Sequence, residues 1–380
     1  MMPVLHDAAA QQPQPPAETL DQVITPRAVV DLDRMNANLD RMATYARTHE
    51  LALRPHTKTH KTPALAAEQL QRGAVGVTVA TPREAEVQAE VAGDILLAHP
   101  PVGDAKLSRV TAVAARVRLT VALDSEEALA GLATACRQAG VQVGVLVELD
   151  LGMGRVGVQR PADAVALARL AADAPALDYR GVLFYPGHIR QHVDEQDADL
   201  AALGKHLGRH LEALQAADLP AETVSGGSTP TAWHSHRIPG MSEFRPGTYI
   251  FNDRTTAAIG ACAWEDCAYS VLATVISTAV PGQAVVDAGS KALAREEIRA
   301  KGWGGLGALL DRPDVVVKAT SEEHGLLDLT GTDWRPRVGD RVRIVPNHVC
   351  VSVNLHPSLL YVRGERVEAE RPVAARGWTP

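Results

Sequence analysis

Between about residues 25 and 262, apolar runs of strand length alternate with stretches in which apolar residues recur at helical spacing. The clearest helical patterns are Ser125–Ala139, Pro161–Ala174 and Ala198–Ala217. Eight strand signals lie at Leu51–Arg54, Val75–Ala80, Ile95–Ala98, Arg118–Leu123, Val143–Glu148, Tyr179–Tyr185, Glu222–Ser225 and Phe244–Phe251. Strands that alternate with helices predict parallel β/α architecture, and eight in one domain favour a closed, TIM-like barrel over a doubly wound open sheet.

After about Cys262 the pattern changes to short β-like runs separated by glycine and proline turns, which predicts a mostly antiparallel β domain. These runs are Val271–Ile276, Ala284–Asp287, Val315–Val317, Arg341–Val345 and Leu359–Arg363. The predicted organisation is therefore a flexible N-terminal extension over 1–24, a β/α barrel over 25–262 and a C-terminal β domain over 263–380. One further strand signal, Ala28–Leu32, begins the barrel region and could instead join the β domain.

Composition and charge exclude several classes of partner. The chain has 380 residues and a net charge of −7 at pH 7, so no basic face is expected to bind nucleic acid or an anionic membrane. No run of about eighteen apolar residues predicts a membrane span. The first residues lack the basic start and apolar centre of a signal peptide, and the four cysteines are too sparse for a disulfide framework. We therefore expect a cytoplasmic protein.

The segment Arg54–Lys61 is the first candidate for chemistry, because it places two lysines and two histidines at the end of a short strand. Function gathers at such strand ends in β/α barrels. A lysine there, Lys58 above all, can form a Schiff base with a carbonyl compound or with pyridoxal phosphate. The alternative is a solvated basic loop.

Other polar or glycine-rich residues follow later predicted strands. The loop after the seventh strand contains Gly226, Gly227, Ser228 and Thr229, whose backbone N–H groups and hydroxyls are suited to holding a phosphate; the alternative is an ordinary turn. Arg155 follows two glycines that would let the backbone pass close to a ligand, although a surface arginine has the same pattern. Tyr185 ends the sixth strand.

His348 and Cys350 form a second constellation, in the predicted β domain. Residues i and i+2 of a strand project from one face, so the pair could hold one metal ion, and imidazole with thiolate favours zinc. No Cys-x-x-Cys motif accompanies the pair. Two protein ligands plus waters would describe an open, catalytic ion. The alternative is a buried cysteine beside an unrelated histidine.

Together these motifs resemble the group of D-threonine aldolases and eukaryotic-type D-serine dehydratases, fold-type III pyridoxal-phosphate enzymes related to alanine racemase. The resemblance runs from about Thr25 to Gly377. Its landmarks are Arg54–Lys61, Glu148–Gly157, Ser225–Thr229, Arg245–Asp253, Asp287–Lys291, Glu323–Gly325 and Pro346–Cys350. The resemblance implies a pyridoxal-phosphate-binding barrel, a C-terminal β domain and a homodimer with its site near the interface.

The resemblance also implies roles for individual residues. Lys58 would be the catalytic lysine that attaches the cofactor, Arg155 would contact its phenolic oxygen, and Tyr185 and Tyr249 would line it. Gly226, Gly227, Ser228 and Thr229 would form the phosphate loop, and His348 and Cys350 would hold a divalent metal, with zinc expected and manganese or magnesium as alternatives.

The metal pair bears on which reaction is expected. Aldolases of the group typically have His-x-Asp, and D-serine and 3-hydroxyaspartate dehydratases have His-x-Cys, as here. Pro186 stands where aldolases often have a histidine, although His188 or His192 could take that role. The resemblance therefore implies a lyase that converts D-serine or 3-hydroxyaspartate to a keto acid and ammonia. The alternatives are an aldolase releasing glycine and an aldehyde, an amino-acid racemase, or a non-catalytic pyridoxal-phosphate carrier.

Overall fold

A computed structural model describes residues 18–298, 300 and 302–377. Its first sheet is an all-parallel set of eight strands, and the two sheet edges meet. Val75 N donates to Leu53 O at 2.9 Å and Thr78 N donates to Pro55 O at 2.8 Å, which joins the first strand to the second and closes the barrel. The strands are β2 (Ala52–Leu53), β3 (Val77–Val79), β4 (Asp94–Leu97), β5 (Arg118–Leu123), β6 (Val143–Leu149), β7 (Leu177–Phe184), β8 (Thr223–Gly226) and β9 (Glu243–Phe244).

Most strand residues are apolar and buried because helices cover the barrel from outside. Every residue of β6 is buried, for example. The helices are α1 (Leu32–Thr48), α2 (Pro63–Gln71), α3 (Pro82–Gln88), α4 (Asp104–Ala114), α5 (Glu126–Ala139), α6 (Pro161–Asp173) and α7 (Asp197–Ala216). Local chemistry sets their ends: Ser125 caps α5 by accepting from Ala128 N, and Gly140 ends it in the left-handed conformation. The predicted barrel is confirmed.

The eighth strand predicted for the barrel is shorter than expected. Phe244–Phe251 was predicted as one strand, but β9 ends at Phe244 and Thr248–Ile250 forms a 3₁₀ turn. Pro246 has no N–H to donate to a neighbouring strand, and Gly247 follows it, so pairing stops there.

The second sheet is mostly antiparallel, as predicted. It contains β1 (Arg27–Asp31), β10 (Tyr269–Ser277), β11 (Gln283–Val286), β12 (Gly307–Leu309), β13 (Val317–Thr320), β14 (Gly325–Asp328), β15 (Arg341–Pro346), β16 (Ser358–Arg363) and β17 (Arg366–Pro372). The strand β1 pairs with β10 and, in parallel, with β16, so the first strand belongs to this sheet. Three short helices accompany the β domain: α8 (Arg254–Ala258), α9 (Ser290–Leu293) and α10 (Val349–Leu355).

Most of the predicted N-terminal extension, residues 1–17, lies outside the described residues. Within 18–24, Leu20 and Val23 are buried against Val29 of β1 and Leu360 of β16. In the described part of the chain, no helix has both the length and the apolarity needed to cross a membrane.

A continuous apolar core joins the barrel to the β domain. It includes Met35 of α1, Phe184 of β7, Tyr269 of β10 and Val349 of α10. Burial of such large side chains stabilises the junction by about 2 kcal/mol each. The shared core fixes α10 against the carboxyl ends of the barrel strands, which is where the polar residues gather.

Candidate active site

A cavity of about 460 Å³ lies at the carboxyl ends of the barrel strands, beneath the start of α10. The loops after β2, β6, β7, β8 and β9 all contribute to it. Polar and charged side chains dominate its lining: His56, Lys58, Thr59, His99, Glu148, Arg155, Tyr185, Ser228, Thr229, Arg245, Thr248, His348 and Cys350. Most of the residues predicted as a site therefore meet in one cavity.

Lys58 lies in the 3₁₀ turn Thr57–Thr59 that follows β2, and its side chain enters the cavity. Thr57 fixes this turn by donating from its hydroxyl to Thr78 O at 3.1 Å. The Lys58 ammonium lies 5.9 Å from the centre of the Tyr185 ring. Lys58 is therefore an accessible amine beside an aromatic wall.

Lys61 has a different environment, although it is only three residues away. Its backbone adopts a positive φ of 54°, and its Nζ donates to Asn354 Oδ1 at 2.9 Å and pairs with Glu84 at 3.4 Å. Lys61 thus ties the barrel loop to α10 and does not line the cavity.

Arg155 packs over Tyr185, with its guanidinium carbon 4.9 Å from the ring centre. Cation and aromatic face attract each other at this distance. The preceding turn is held by Asp150, whose Oδ1 accepts from the N–H groups of Gly152 and Gly154 at 3.0 Å each. The guanidinium has no hydrogen bond or ion pair to any residue within 18–298, 300 and 302–377, so its donors are free for a ligand.

The loop after β8 has the properties of an anion site. Gly227 has a φ of +79°, which turns the chain sharply after the strand. Among the described residues, none accepts a hydrogen bond from the N–H groups of Gly227, Ser228 or Thr229. Three successive free N–H groups form a concavity suited to phosphate. Thr229 is fixed from behind, since its Oγ1 accepts from Tyr249 N at 3.2 Å.

Two predicted site residues do not line the cavity. Gly226 lies at the end of β8 against the ring of Phe184, where any Cβ would overlap that ring. Tyr249 is buried behind the loop, and its hydroxyl accepts from Gln69 Nε2 at 3.0 Å. Its backbone supports Thr229, whereas its side chain faces the protein interior.

His348 and Cys350 lie together, but not on a strand as predicted. The strand β15 ends at Pro346, His348 is the N-cap of α10 and Cys350 lies in its first turn. Thr59 Oγ1 lies 3.2 Å from Cys350 Sγ, so the thiol is next to the lysine turn. The Cys350 thiolate raises the pKa of His348 to about 11 against the opposing effect of burial. Burial opposes ionisation of Cys350, but His348 and Thr59 outweigh it and lower the thiol pKa.

Asp253 is a residue that the sequence did not assign to the site. Its Oδ2 lies 3.2 Å from His348 Nδ1 and accepts from Val349 N at 3.1 Å. With Nδ1–H donated to this carboxylate, Nε2 of His348 is left to bind a metal, the arrangement seen in many metalloproteins. Imidazole nitrogen and thiolate together fit a zinc-like divalent ion. In the described residues, no group of three or more acidic, histidine or cysteine side chains could hold a metal, so remaining positions would be open.

Glu148, Arg245 and His56 also line the cavity without having been predicted there as ligand-contacting residues. Arg245 is buried, with Nη1 donating to Ser225 Oγ at 2.6 Å and Nη2 to Phe184 O at 2.8 Å, and burial lowers its pKa to about 10. Burial, followed by the positive charge of Lys58, lowers the pKa of His56 well below its usual value. The signal that could have found them is their position at the ends of β2, β6 and β9.

Comparison with known proteins identifies the fold and family. Residues 30–255 match the family model described as "Alanine racemase, N-terminal domain", and residues 268–362 match "Putative serine dehydratase domain". A D-threonine aldolase from Arthrobacter sp. is 33% identical over 99% of each chain. The chain belongs to the D-threonine aldolase and D-serine dehydratase family. The aldolases and dehydratases of this family are lyases, and this member is an enzyme of that class.

Two solved structures extend the likeness to the whole fold. The D-threonine aldolase from Filomicrobium marinum is 34% identical, covers 96% of this chain and 98% of its own, and superposes with a TM-score of 0.89. The D-threo-3-hydroxyaspartate dehydratase from Delftia sp. HT23 is 34% identical in the structural comparison, covers 95% of this chain and 100% of its own, and has a TM-score of 0.88.

Two alanine variants of a D-threo-3-hydroxyaspartate dehydratase have also been solved. One replaces a histidine, and the other replaces a cysteine two positions later and is described as a metal-free form. His348 and Cys350 of this family member have the same spacing.

Proposed function

We propose that this enzyme is a pyridoxal-phosphate- and metal-dependent dehydratase of D-3-hydroxy amino acids, acting on D-serine or 3-hydroxy-D-aspartate. The observation that carries the proposal is the His348–Cys350 pair, oriented by Asp253 and facing the cavity that contains Lys58. The overall reaction converts the 3-hydroxy amino acid to a 2-oxo acid and ammonia. Water is lost from Cα and Cβ and is then regained on hydrolysis.

The cavity fits pyridoxal phosphate. Lys58 offers an amine for its aldehyde, Arg155 offers free guanidinium donors, and the loop from Gly227 to Thr229 offers free N–H groups for its phosphate. When bound, this cofactor withdraws electrons from the substrate Cα and so eases loss of its proton. Tyr185 supplies an aromatic wall between Lys58 and Arg155.

Lys58 is proposed to move the proton. Its amine, when not bonded to the cofactor, would act as a base in the same cavity and take the proton from the substrate Cα.

His348 and Cys350 are proposed to hold the divalent metal, with zinc favoured by the imidazole and thiolate ligands. The ion would act as a Lewis acid toward the β-hydroxyl, which favours its departure as water. Asp253 keeps Nε2 of His348 available, and Thr59 holds the thiol at the edge of the cavity.

Aldol cleavage is the second candidate, because two of the relatives described above are D-threonine aldolases. It needs a base for the β-hydroxyl proton. After β7 the chain reads Tyr185-Pro186-Gly187-His188, and His188 does not line the cavity. Among the described residues, the histidines that line the cavity, apart from the proposed metal ligand, are His56 and His99. Neither lies in the loop after β7, where the aldolases often have their histidine. The side chains that line the cavity therefore fit dehydration better than aldol cleavage.

The proposal is tested by incubating purified protein with pyridoxal phosphate and D-serine, before and after chelation and zinc restoration. We expect pyruvate and ammonia in equal amounts, loss of both with the chelator, and their return with zinc. Interconversion of D- and L-serine that is insensitive to chelator would indicate a racemase. Cofactor binding without turnover of D-serine or 3-hydroxy-D-aspartate would indicate a carrier.

A further inference from the structure

Glu148 is a buried carboxyl without a hydrogen-bond partner inside the candidate active site. It lies at the end of β6, is 3% exposed and lines the cavity. Its Oε2 accepts no hydrogen bond from any part of the chain that the structure describes. Buried polar atoms are normally hydrogen-bonded, and an ionised carboxylate is especially costly to bury alone. An ionised Glu148 therefore needs a positively charged partner nearby, and an anionic ligand that enters the cavity would compete for that partner.

Charged and titratable groups face this cavity region from the ends of six strands. They are His56 and Lys58 after β2, His99 after β4, Asp124 after β5, Arg155 after β6, Tyr185 after β7 and Arg245 after β9. Burial raises the pKa of Glu148 to about 7; Arg245 and Arg155 oppose this rise, and Asp124 adds to it. Both protonation states are thus accessible near neutral pH.

The two arginines differ in their freedom. Arg245 already donates to Ser225 and Phe184. Arg155 packs over the Tyr185 ring and makes no hydrogen bond or ion pair within the described structure, and its charge lies close enough to oppose the rise in the pKa of Glu148. Arg155 is therefore the cation that Glu148 and an entering anionic ligand would share.

We propose that Glu148 is a positioning residue that acts through Arg155, holding the guanidinium as its counter-ion when ionised and releasing it to the cofactor when protonated. This inference rests on the assignment of pyridoxal phosphate above. An anionic cofactor binds more tightly to the protein whose Glu148 is neutral, so binding takes up a proton. Affinity for the cofactor then falls as the pH rises through the pKa of Glu148 in the free protein.

The probe for this linkage is pyridoxine 5′-phosphate, which has the ring and phosphate of the cofactor but no aldehyde to react with Lys58. Its dissociation constant for the apoenzyme would be measured by calorimetry from about pH 6 to about pH 8.5, for the wild type and Glu148→Gln. Glu212→Gln, at an exposed site on α7, is the matched control. Titration of the probe itself is common to all three proteins and cancels in the comparison.

The wild type and Glu212→Gln should bind the probe up to about tenfold more weakly at pH 8 than Glu148→Gln, and equally well near pH 6. If the dissociation constants of all three proteins depend on pH in the same way, the inference about Glu148 is wrong, while the cofactor assignment stands. Absence of probe binding would overturn both the inference and the cofactor assignment. Should Glu148→Gln fail to fold, Glu148→Ala replaces it in the same comparison, and curves parallel to those of the wild type and Glu212→Gln would again contradict the proposal.

Discussion

The Nδ1 atom of His348 lies 3.2 Å from Oδ2 of Asp253, a residue 95 positions earlier in the chain. Asp253 also caps α8, where its Oδ1 accepts from Thr256 N at 2.9 Å. One carboxylate thus fixes both a short helix of the barrel-to-sheet junction and the ring of a proposed metal ligand. The relationship makes the orientation of His348 depend on a residue that would not itself touch the ion.

Asp253→Asn should weaken metal binding by about 10–100-fold, the usual effect of removing such an orienting carboxylate. The amide cannot accept from His348, Val349 and Thr256 at once, so His348 loses the partner that keeps its Nε2 available. Metal affinity would be measured by competition with a chromogenic chelator. Asp266→Asn is the control, since Asp266 is a partly buried carboxylate paired with Arg41; equal losses in both variants would mean a general effect on folding.

Lys58→Ala should remove the visible absorbance of the attached cofactor and lower turnover by at least about a thousandfold, because both covalent attachment and the base are lost. Lys61→Ala should keep the absorbance and instead lower the free energy of unfolding by about 2 kcal/mol, since buried Glu84 loses its cation. Spectra and urea unfolding of the two variants distinguish the roles. Loss of the absorbance in Lys61→Ala but not in Lys58→Ala would assign the cofactor to Lys61 and contradict the role proposed for Lys58.

Gly226→Ala should reduce the free energy of unfolding by about 1–3 kcal/mol and weaken cofactor binding, because the new methyl group would overlap the Phe184 ring beneath the phosphate loop. Gly93→Ala is the matched control: a Cβ there meets no atom within 4 Å, and its φ is not positive. Unfolding midpoints and cofactor titration measure both effects. Equal stability of the two variants would show that the loop tolerates a side chain at 226.

His60 should make the protein less stable in acid. Burial lowers its pKa from the usual 6.5 to about 4, and its ring is fixed between Thr62 N and Gln69. The unfolded chain therefore binds the proton first as the pH falls, and the folded state loses about 2 kcal/mol from this residue between pH 7 and pH 5. Urea unfolding at both pH values measures this effect. In His60→Gln the free energy of unfolding should change between pH 7 and pH 5 by about 2 kcal/mol less than in the wild type. His324→Gln, at an exposed site, should show the same change as the wild type.

The barrel could be predicted because its strands are short, mostly apolar and separated by strongly periodic helices, as in β5, α5 and β6. Local sequence patterns predicted the wrong secondary structure where contacts with distant parts of the chain determine it. The segment Val349–Leu355 contains three valines and reads as strand, yet it forms α10 because its apolar side packs into the core beside the lysine turn. His348 and Cys350 were therefore predicted as a pair from the wrong local geometry, and their role as metal ligands stays a prediction.

Asp253 and Glu148 show the limit of sequence reasoning at the site. Asp253 reaches His348 only after the barrel and the β domain have packed together, and no local spacing encodes that contact. Glu148 ends an apolar strand, but its missing hydrogen-bond partner is a property of the folded cavity. Lys58, Arg155 and the loop from Gly227 to Thr229 could be proposed from the sequence because each lies in a loop that follows a recognisable strand.

The central claim is most directly tested by the products formed from one substrate, D-threo-3-hydroxyaspartate, on the zinc-loaded holoenzyme. Dehydration gives oxaloacetate and ammonia, whereas aldol cleavage of the same molecule gives glycine and glyoxylate. We predict oxaloacetate and ammonia in equal amounts and no glycine. Glycine and glyoxylate without oxaloacetate would contradict the assignment of this family member as a dehydratase.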